Sequence, residues 1–433
     1  MRFMSLWRKT KNTGICMFIE ATRGGSGMRS IAPYKSSISL FKEEIFKEFE
    51  KIFDVGILVL GDWTSRFEQE FAGSHGRRFG VAVTSDTAAL EAALLMLKDF
   101  YKLERLTVLM PDTAFFGCAN VVFRLGGTVV PIPVEIGNGI MPTLEQLERC
   151  VNWVSRKSDS NPEELIYMAV YTAGMVARDM IEQIEWCRKK GVKVLEDCAH
   201  THGATYSDGK LAGSYGDVAT FSFYATKMVH SGEGGMVLVD NPDWDRWLRT
   251  YRNYGKTWGE GADPIFQDVS VIGYNWRMTE LQAAIGMVVW RNYQKIYSER
   301  QRVERIYDSF FNNGNGRAKR LVIKNAGLLR TNLYKYIVLV DGLETEEQNH
   351  RLYRELESRG VRLQAKCNSK PLTEIELFKD KLAFYPEAFV YTKESLRYSL
   401  SHLCLPIYPL LSDEEAEYIA ETVNQVVETG GWM

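Results

Sequence analysis

The sequence predicts an α/β protein: a largely parallel central sheet with helices on both faces, followed by a smaller C-terminal α+β domain. Three observations carry this reading. Short β-rich runs alternate with helical segments from about Tyr34 to residue 290, the rhythm of strand–helix–strand units. A chain of 433 residues is too long for one simple core. Beyond a long amphipathic helical stretch near residue 290, strands and helices mix. The expected organisation is a basic N-terminal extension over 1–30, a large domain over 31–290 and a small domain over 291–433.

The elements follow in order. "FKEEIFKEFEKIF" has helical period, with Phe41, Ile45 and Phe49 on one face. "FGVAVTSDTAALEAALLML" reads as a strand, a polar turn and a helix carrying Leu90, Leu94 and Leu97 on one side. "LTVLMP", "GTVVPIPVE", "LIYMAVYTAG" and "VKVLEDC" are further β-rich runs, and "MIEQIEWCRKK" is one of the helices between them. In "TFSFYATKMVHSGEGGM", Phe221 and Phe223 alternate with Thr220, Ser222 and Tyr224, the period of a strand with two different faces. "ELQAAIGMVVWRNYQKIYSERQRVERIYDSFF" reads as one long amphipathic helical stretch. "YKYIVLV" and "EEQNHRLYRELESRG" supply strand and helix to the small domain.

Bulk properties exclude several classes. The formal charge of −2 gives no footprint for nucleic acid or a polybasic membrane surface. No apolar run approaches the roughly 18–20 residues that span a bilayer. Seven scattered cysteines without a CxxC pair argue against zinc, an iron–sulfur cluster or a secreted disulfide framework, and fit a reducing cytoplasm. No metal site is expected. Residues 1–29 are basic and lack the apolar core of a signal peptide. They read as a tail, or as sequence upstream of a true start at Met28.

Three polar clusters fall at predicted strand ends, where open α/β sheets collect ligands. "TSDT", Thr84 to Thr87, places hydroxyls and free amides at a helix start and suits a phosphate; plain N-capping by Ser85 or Asp86 explains the same residues. "VLEDCAH" ends a β-rich run on Asp197, with His200 three residues on; a cap or ion pair is the bland alternative. Ser222 precedes Lys227 by five residues at the mouth of a glycine-containing loop, where a lone lysine is ordinarily a solvated surface residue. Together they point to pyridoxal phosphate (PLP), which needs a lysine amine for its aldehyde, an acid at its ring nitrogen and donors for its phosphate. "GEGG" lacks the GxGxxG spacing of a dinucleotide site.

The chain resembles the DegT/StrS family of PLP-dependent sugar aminotransferases, enzymes of fold type I. The carriers are "GDWTSRFEQEFA", "TSDTAAL", "PDTAFFGCANVVFRLGGTVVPIPVE", "EDCAHTHGATYSDGKLAGSYGDVATFSFYATK", "GEGGMV", "RNYG", "GYNWRMTELQAAIG" and "LPIYPLLSDEEAEYI", from about Ser36 to Val426. By resemblance, Lys227 is the Schiff-base lysine, Asp197 the ring-nitrogen partner and His200 the group near the cofactor's phenolic oxygen. Ser222, Ser85 and Thr87 match the phosphate site. Phe115 matches the aromatic that stacks on the ring; core packing is the bland role of such an aromatic, with Phe116 the packing neighbour. Asn275 matches a residue reaching the other subunit's cofactor, which implies a homodimer with shared active sites.

Two departures stand out. Asp86 takes the place of a small residue in the phosphate turn; a carboxylate there repels phosphate, so its side chain is expected to point away, with capping of the helix as one way to do so. "VYTAGMVARDM" also lacks a proline after Gly174. The resemblance implies amino transfer from an amino acid, L-glutamate being the expected donor and glutamine the other, to a keto-sugar, expected to be nucleotide-linked, for amino-sugar and polysaccharide biosynthesis. The alternatives are a PLP-dependent sugar dehydratase, disfavoured by Lys227, and a PLP- or sugar-binding regulatory protein without turnover, favoured only by Asp86. Arg252, Tyr254, Lys256, Trp258 and Tyr334 are basic or aromatic candidates for a nucleotide site, individually no better than surface or packing residues.

Overall fold

The computed structural model describes residues 30–158, 161–257, 268–312, 316–321, 331–383 and 386–433. The basic segment 1–29, Met28 included, and Trp258 lie outside the described residues. The N-terminal half contains α1 (Lys42–Val55), α2 (Asp62–Ser74), β1 (Phe79–Val83), α3 (Asp86–Tyr101), β2 (Thr107–Pro111), α4 (Phe116–Arg124), β3 (Thr128–Ile132), α5 (Leu144–Ser158), β4 (Leu165–Val170), α6 (Met180–Lys190), β5 (Lys193–Asp197), β6 (Val218–Ser222), β7 (Gly235–Val239) and α7 (Pro242–Tyr251). Each expected β-rich run in this half became a strand.

The seven strands form one sheet in the order β1-β7-β6-β5-β4-β2-β3. The pairs β2–β3, β2–β4, β4–β5 and β5–β6 are parallel, and β7 runs antiparallel to both its neighbours. Strand residues alternate between two cores, as a pleated sheet covered on both faces requires. Val81, Val83, Val108 and Met110 pack with Leu94 of α3, Val121 of α4 and Leu248 of α7. Ala82 and Leu109 face the other way, toward Phe71 of α2, Val151 of α5 and Ile184 of α6. With β7 reversed, the carboxyl ends of β1, β2, β4, β5 and β6 share one edge of the sheet. All three polar clusters read from the sequence end there.

The expected long helix is two: α8 (Glu280–Arg291) and α9 (Tyr293–Phe311). Asn292 breaks it. Its backbone leaves the helical basin (φ −97°, ψ 12°), and its side-chain Nδ2 donates to the Val288 carbonyl at 3.0 Å and to Glu44 on α1 at 3.0 Å. An amide side chain that binds its own helix's carbonyls offers the backbone an alternative to the regular ladder. We propose the division of the two domains at this break.

Beyond it lie β8 (Ala318–Arg320), β9 (Tyr336–Val340), α10 (Glu346–Ser358), α11 (Pro386–Ser401), β10 (His402–Leu405) and α12 (Asp413–Thr429). The three strands form a second, antiparallel sheet in the order β10-β9-β8. Its inner residues Tyr336, Val338, Leu403 and Leu405 join the same core that covers one face of the large sheet. Near the start of the described chain, the Ile31 amide donates to Gly360 and the Tyr408 hydroxyl donates to the Ala32 carbonyl. Residues 31 and 32 thus lie against the C-terminal part of the chain rather than the large sheet.

Candidate active site

At the carboxyl edge of the sheet a cavity of 490 Å³ is lined by Ser85, Asp86, Thr87, Phe115, Asp197, His200, Ser222 and Lys227. Residues spread over more than a hundred positions of sequence converge because their strands end on one edge.

Asp197 is the last residue of β5 and is buried. Adjacent strand residues face opposite ways, so Glu196 serves the other side: it accepts from Tyr171 Oη at 2.8 Å and from the Gly213 amide at 2.9 Å. The Asp197 carboxylate accepts from the Ala199 amide at 3.0 Å and from the Cys118 thiol at 3.0 Å. Burial pushes the Asp197 carboxyl above its ordinary range, opposed by these two hydrogen bonds and by the charge of Lys227. Burial also drives the Cys118 thiol well up, so it stays protonated and donates. A buried carboxylate of this kind is suited to a cationic N–H partner.

Lys227 follows β6, with its backbone amide bonded to Tyr224. Its Nζ lies 5.3 Å from the centroid of the Tyr334 ring, within cation–π range, and forms no ion pair with another described residue. His200 stacks on the other partner of this group: its ring centroid is 4.6 Å from that of Tyr334. Burial, then the charges of Lys227 and Lys335, hold His200 well below its ordinary pKa, so it is neutral. Its Nδ1 accepts from the Ala173 amide at 3.2 Å, which leaves the proton on Nε2. Burial raises the Tyr334 hydroxyl, but Lys227 and Lys335 outweigh that and its pKa is lowered overall.

The turn at 84–87 is a helix start. Ser85 is the N-cap of α3, its Oγ accepting from the Ala88 amide at 3.2 Å. This places Thr87 and the free amides of the first turn on the cavity. Ser222 enters from the end of β6, with the Tyr224 amide 3.4 Å from its Oγ. A Cβ at Gly235 would come within 2.3 Å of the Ser85 carbonyl oxygen, so a residue without one lets the start of α3 lie against β7.

The expectation for Asp86 is corrected. Its side chain neither caps α3 nor points away: it is the first helical residue and lines the cavity, with Oδ1 buried and unpartnered among the described residues. Capping by Ser85 frees Asp86 to turn inward. The packing alternative for Phe115 and Phe116 is also corrected. The two rings touch at 4.2 Å between centroids but are 48% and 50% exposed rather than in the core, and Phe115 lines the cavity. Asn275 is exposed, bridges to Asn253 and does not line this cavity. Arg252 is buried in an ion pair with Glu68, so it is a structural cation.

Sequence reasoning missed the wall supplied by the small domain. Lys335, Gln364, Lys366 and Cys367 line the cavity with Tyr334 and Tyr34. Asn332 is equally hidden in the sequence. Its Nδ2 donates to the His200 and His202 carbonyls at 2.6 and 3.0 Å, holding the loop after β5. It also packs on the segment without proline: Ala173 and Gly174 both adopt positive φ (62° and 82°), a Cβ at Gly174 would lie 2.0 Å from Asn332 Oδ1, and the Met175 amide, which a proline would lack, donates to the Thr172 carbonyl at 3.1 Å. Among the described residues no cluster of histidine, cysteine, aspartate and glutamate is arranged to hold a metal, and no helix is long and apolar enough to cross a membrane.

Fold and cavity together define the architecture of a fold-type I transferase. The model of the DegT/DnrJ/EryC1/StrS aminotransferase family matches residues 40–424. The chain is 27% identical to GDP-perosamine synthase of Escherichia coli over 407 residues, 92% of this chain and 99% of that protein. It is 26% identical to the spore coat polysaccharide biosynthesis protein SpsC of Bacillus subtilis, over 92% of this chain and 97% of that one. Among solved structures, Helicobacter pylori PseC, an aminotransferase involved in pseudoaminic acid biosynthesis, has a TM-score of 0.76 at 20% identity, covering 94% of this chain and all of that one. A Streptococcus pneumoniae protein solved in its PLP form has a TM-score of 0.77 at 24% identity, covering 93% and 99%. The chain belongs to the DegT/DnrJ/EryC1/StrS aminotransferase family.

Proposed function

We propose that this chain is a PLP-dependent aminotransferase that moves the amino group of an amino acid, L-glutamate in the first instance, onto a nucleotide-linked keto-sugar for amino-sugar and polysaccharide biosynthesis. The observation that carries the reading is one cavity holding a lysine amine, a buried strand-end carboxylate and a helix start rich in hydroxyls, in a chain of this family. These residues fit PLP. The Asp197 carboxylate accepts from Ala199 and Cys118 but forms no ion pair among the described residues, and Thr220 Oγ1 is buried beside the site without a partner among them.

PLP, when bound, supplies an aldehyde for the amine and an electron-withdrawing ring. In this assignment the amides of the first turn of α3, with Ser85, Thr87 and Ser222, bind the phosphate. Asp197 holds one negative charge where the ring nitrogen would stand, a preorganised electrostatic role. His200 would offer Nε2–H as a neutral donor to the phenolic oxygen, and Phe115 would cover the ring. Lys227 Nζ anchors the aldehyde. Once displaced it is the base that takes the proton from the donor's α-carbon and later delivers a proton to the sugar carbon that receives nitrogen. Amino acid plus keto-sugar gives 2-oxo acid plus amino sugar.

We place Asn275 in the cavity of a second copy of the chain, making a homodimer with shared sites. Its exposure outside its own cavity supports this, as does the apolar surface nearby, where Ile272 is 96% exposed. We place the enzyme in the cytoplasm, supported by free cysteines throughout the described chain. Lys227→Ala should reduce amino transfer at least about a thousandfold while leaving the melting temperature of the cofactor-free protein nearly unchanged. Retention of activity would remove Lys227 from its assigned role.

A further inference from the structure

Asp86 stands where its family resemblance calls for a small residue, and it faces into the site. Four elements surround it. Asp197 comes from the end of β5, Cys118 from α4 and Lys227 from the loop after β6, all lining the same cavity. Thr220, on β6, is the register partner of Asp197. The two carboxyls are not equivalent. Asp197 accepts hydrogen bonds on both oxygens, from the Ala199 amide and the Cys118 thiol. Asp86 Oδ1 and Thr220 Oγ1 are buried with no hydrogen-bond partner among the described residues. Two carboxylates sharing one desolvated site do not both ionise, and Asp197, with a donor on each oxygen, is the one that keeps its charge.

We propose that Asp86 is a neutral carboxylic acid in the folded protein, holding the proton that lets the Asp86–Asp197 pair carry one negative charge instead of two. Burial first, then the neighbouring Asp197, hold the Asp86 carboxyl well above its ordinary range, while Lys227 and the nearby Thr220 hydroxyl oppose this without cancelling it. A neutral acid removes the repulsion that a carboxylate would exert on a phosphate at the start of α3. It also leaves the single charge on Asp197. Asp86 is therefore a positioning residue that acts through its neighbour.

The sign of the pH effect follows. The folded chain holds a proton that the unfolded chain releases near pH 3.8, so the native state loses stability as pH rises from there until Asp86 itself ionises. Asparagine keeps the shape and cannot ionise. Melting temperatures of cofactor-free wild type and Asp86→Asn, taken across pH, should differ by a gap that is small near pH 3.8 and widens in favour of the variant as pH rises. Asp86→Ser should show the same widening if the asparagine variant folds poorly. A gap that is constant across pH overturns the proposal.

A second readout uses PLP itself. In alkaline solution the dissociation constant of wild type should rise by up to about tenfold per pH unit more than that of Asp86→Asn. Weaker binding by Asp86→Asn at every pH would mean that an ionised carboxylate is required, and would also overturn the proposal. This arm rests on the aminotransferase reading; the melting arm does not. Absence of PLP binding by both proteins would contradict that reading while the melts still decide the state of Asp86.

Discussion

Lys227 and Asp197 announce themselves in the sequence because Asp197 ends one β-rich run and Lys227 follows another, and strand ends share an edge. Lys335 and Asn332 do not, because they reach the site from the other side of the Asn292 break and nothing local marks them, and Tyr334 stood out only as one of several basic or aromatic candidates for a nucleotide site. The inward turn of Asp86 was hidden for a different reason: Ser85 and Asp86 are equally good caps on paper, and only the structure shows which one was used. The buried histidines give a prediction at this scale. His75 donates from Nδ1 to the Phe71 carbonyl at 2.8 Å and is packed against Phe71, Phe221 and Trp290. Burial, reinforced by Arg77, lowers its pKa from 6.5 to about 4. The unfolded chain binds this proton first, so stability is full above pH 6.5 and falls between 6.5 and about 4. The loss attached to this one residue is about 3 kcal/mol. Chemical denaturation of His75→Phe across that window should show a shallower acid-side fall than wild type; an unchanged slope would assign the fall to other groups.

At the scale of elements, strand positions were plain in the sequence because runs such as "LIYMAV" are buried on both faces and leave no other fit. Helix ends were less plain, because they depend on contacts from elsewhere. The start of α2 is the clearest case. Glu280, the first residue of α8, is fully buried and accepts from the amides of Gly61, Trp63 and Thr64 at 3.0, 2.8 and 3.3 Å. A carboxylate from a helix more than two hundred residues away thus satisfies the orphan donors of α2. Both ends of this contact lie in motifs quoted for the family resemblance, "GDWTSRFEQEFA" and "GYNWRMTELQAAIG", which gives those stretches a structural reason to recur together. Glu280→Ala should destabilise the chain by about 3 kcal/mol, and Glu280→Gln by less, read from denaturant midpoints. Equal stability of the alanine variant would mean that water replaces the carboxylate at these amides.

For the whole molecule, the central question is whether the cavity is complete in one chain. Phe46, Phe53, Ile57 and Leu58 are exposed on and after α1, and Tyr254 and Tyr274 are exposed near Asn275. Apolar surface of this extent marks an interaction face. If Asn275 serves a second copy, Lys227→Ala and Asn275→Ala homodimers will each be impaired, yet a mixed dimer contains one intact cavity. Equal mixing with subunit exchange should restore roughly a quarter of wild-type amino transfer; no recovery despite exchange would place Asn275 outside the shared site. The central claim has a more direct test. Purified protein with added PLP should turn yellow, and L-glutamate alone should bleach that band while releasing one equivalent of 2-oxoglutarate per site. A yellow band unmoved by glutamate or glutamine, or no band at all, would contradict the assignment of this cavity to amino transfer.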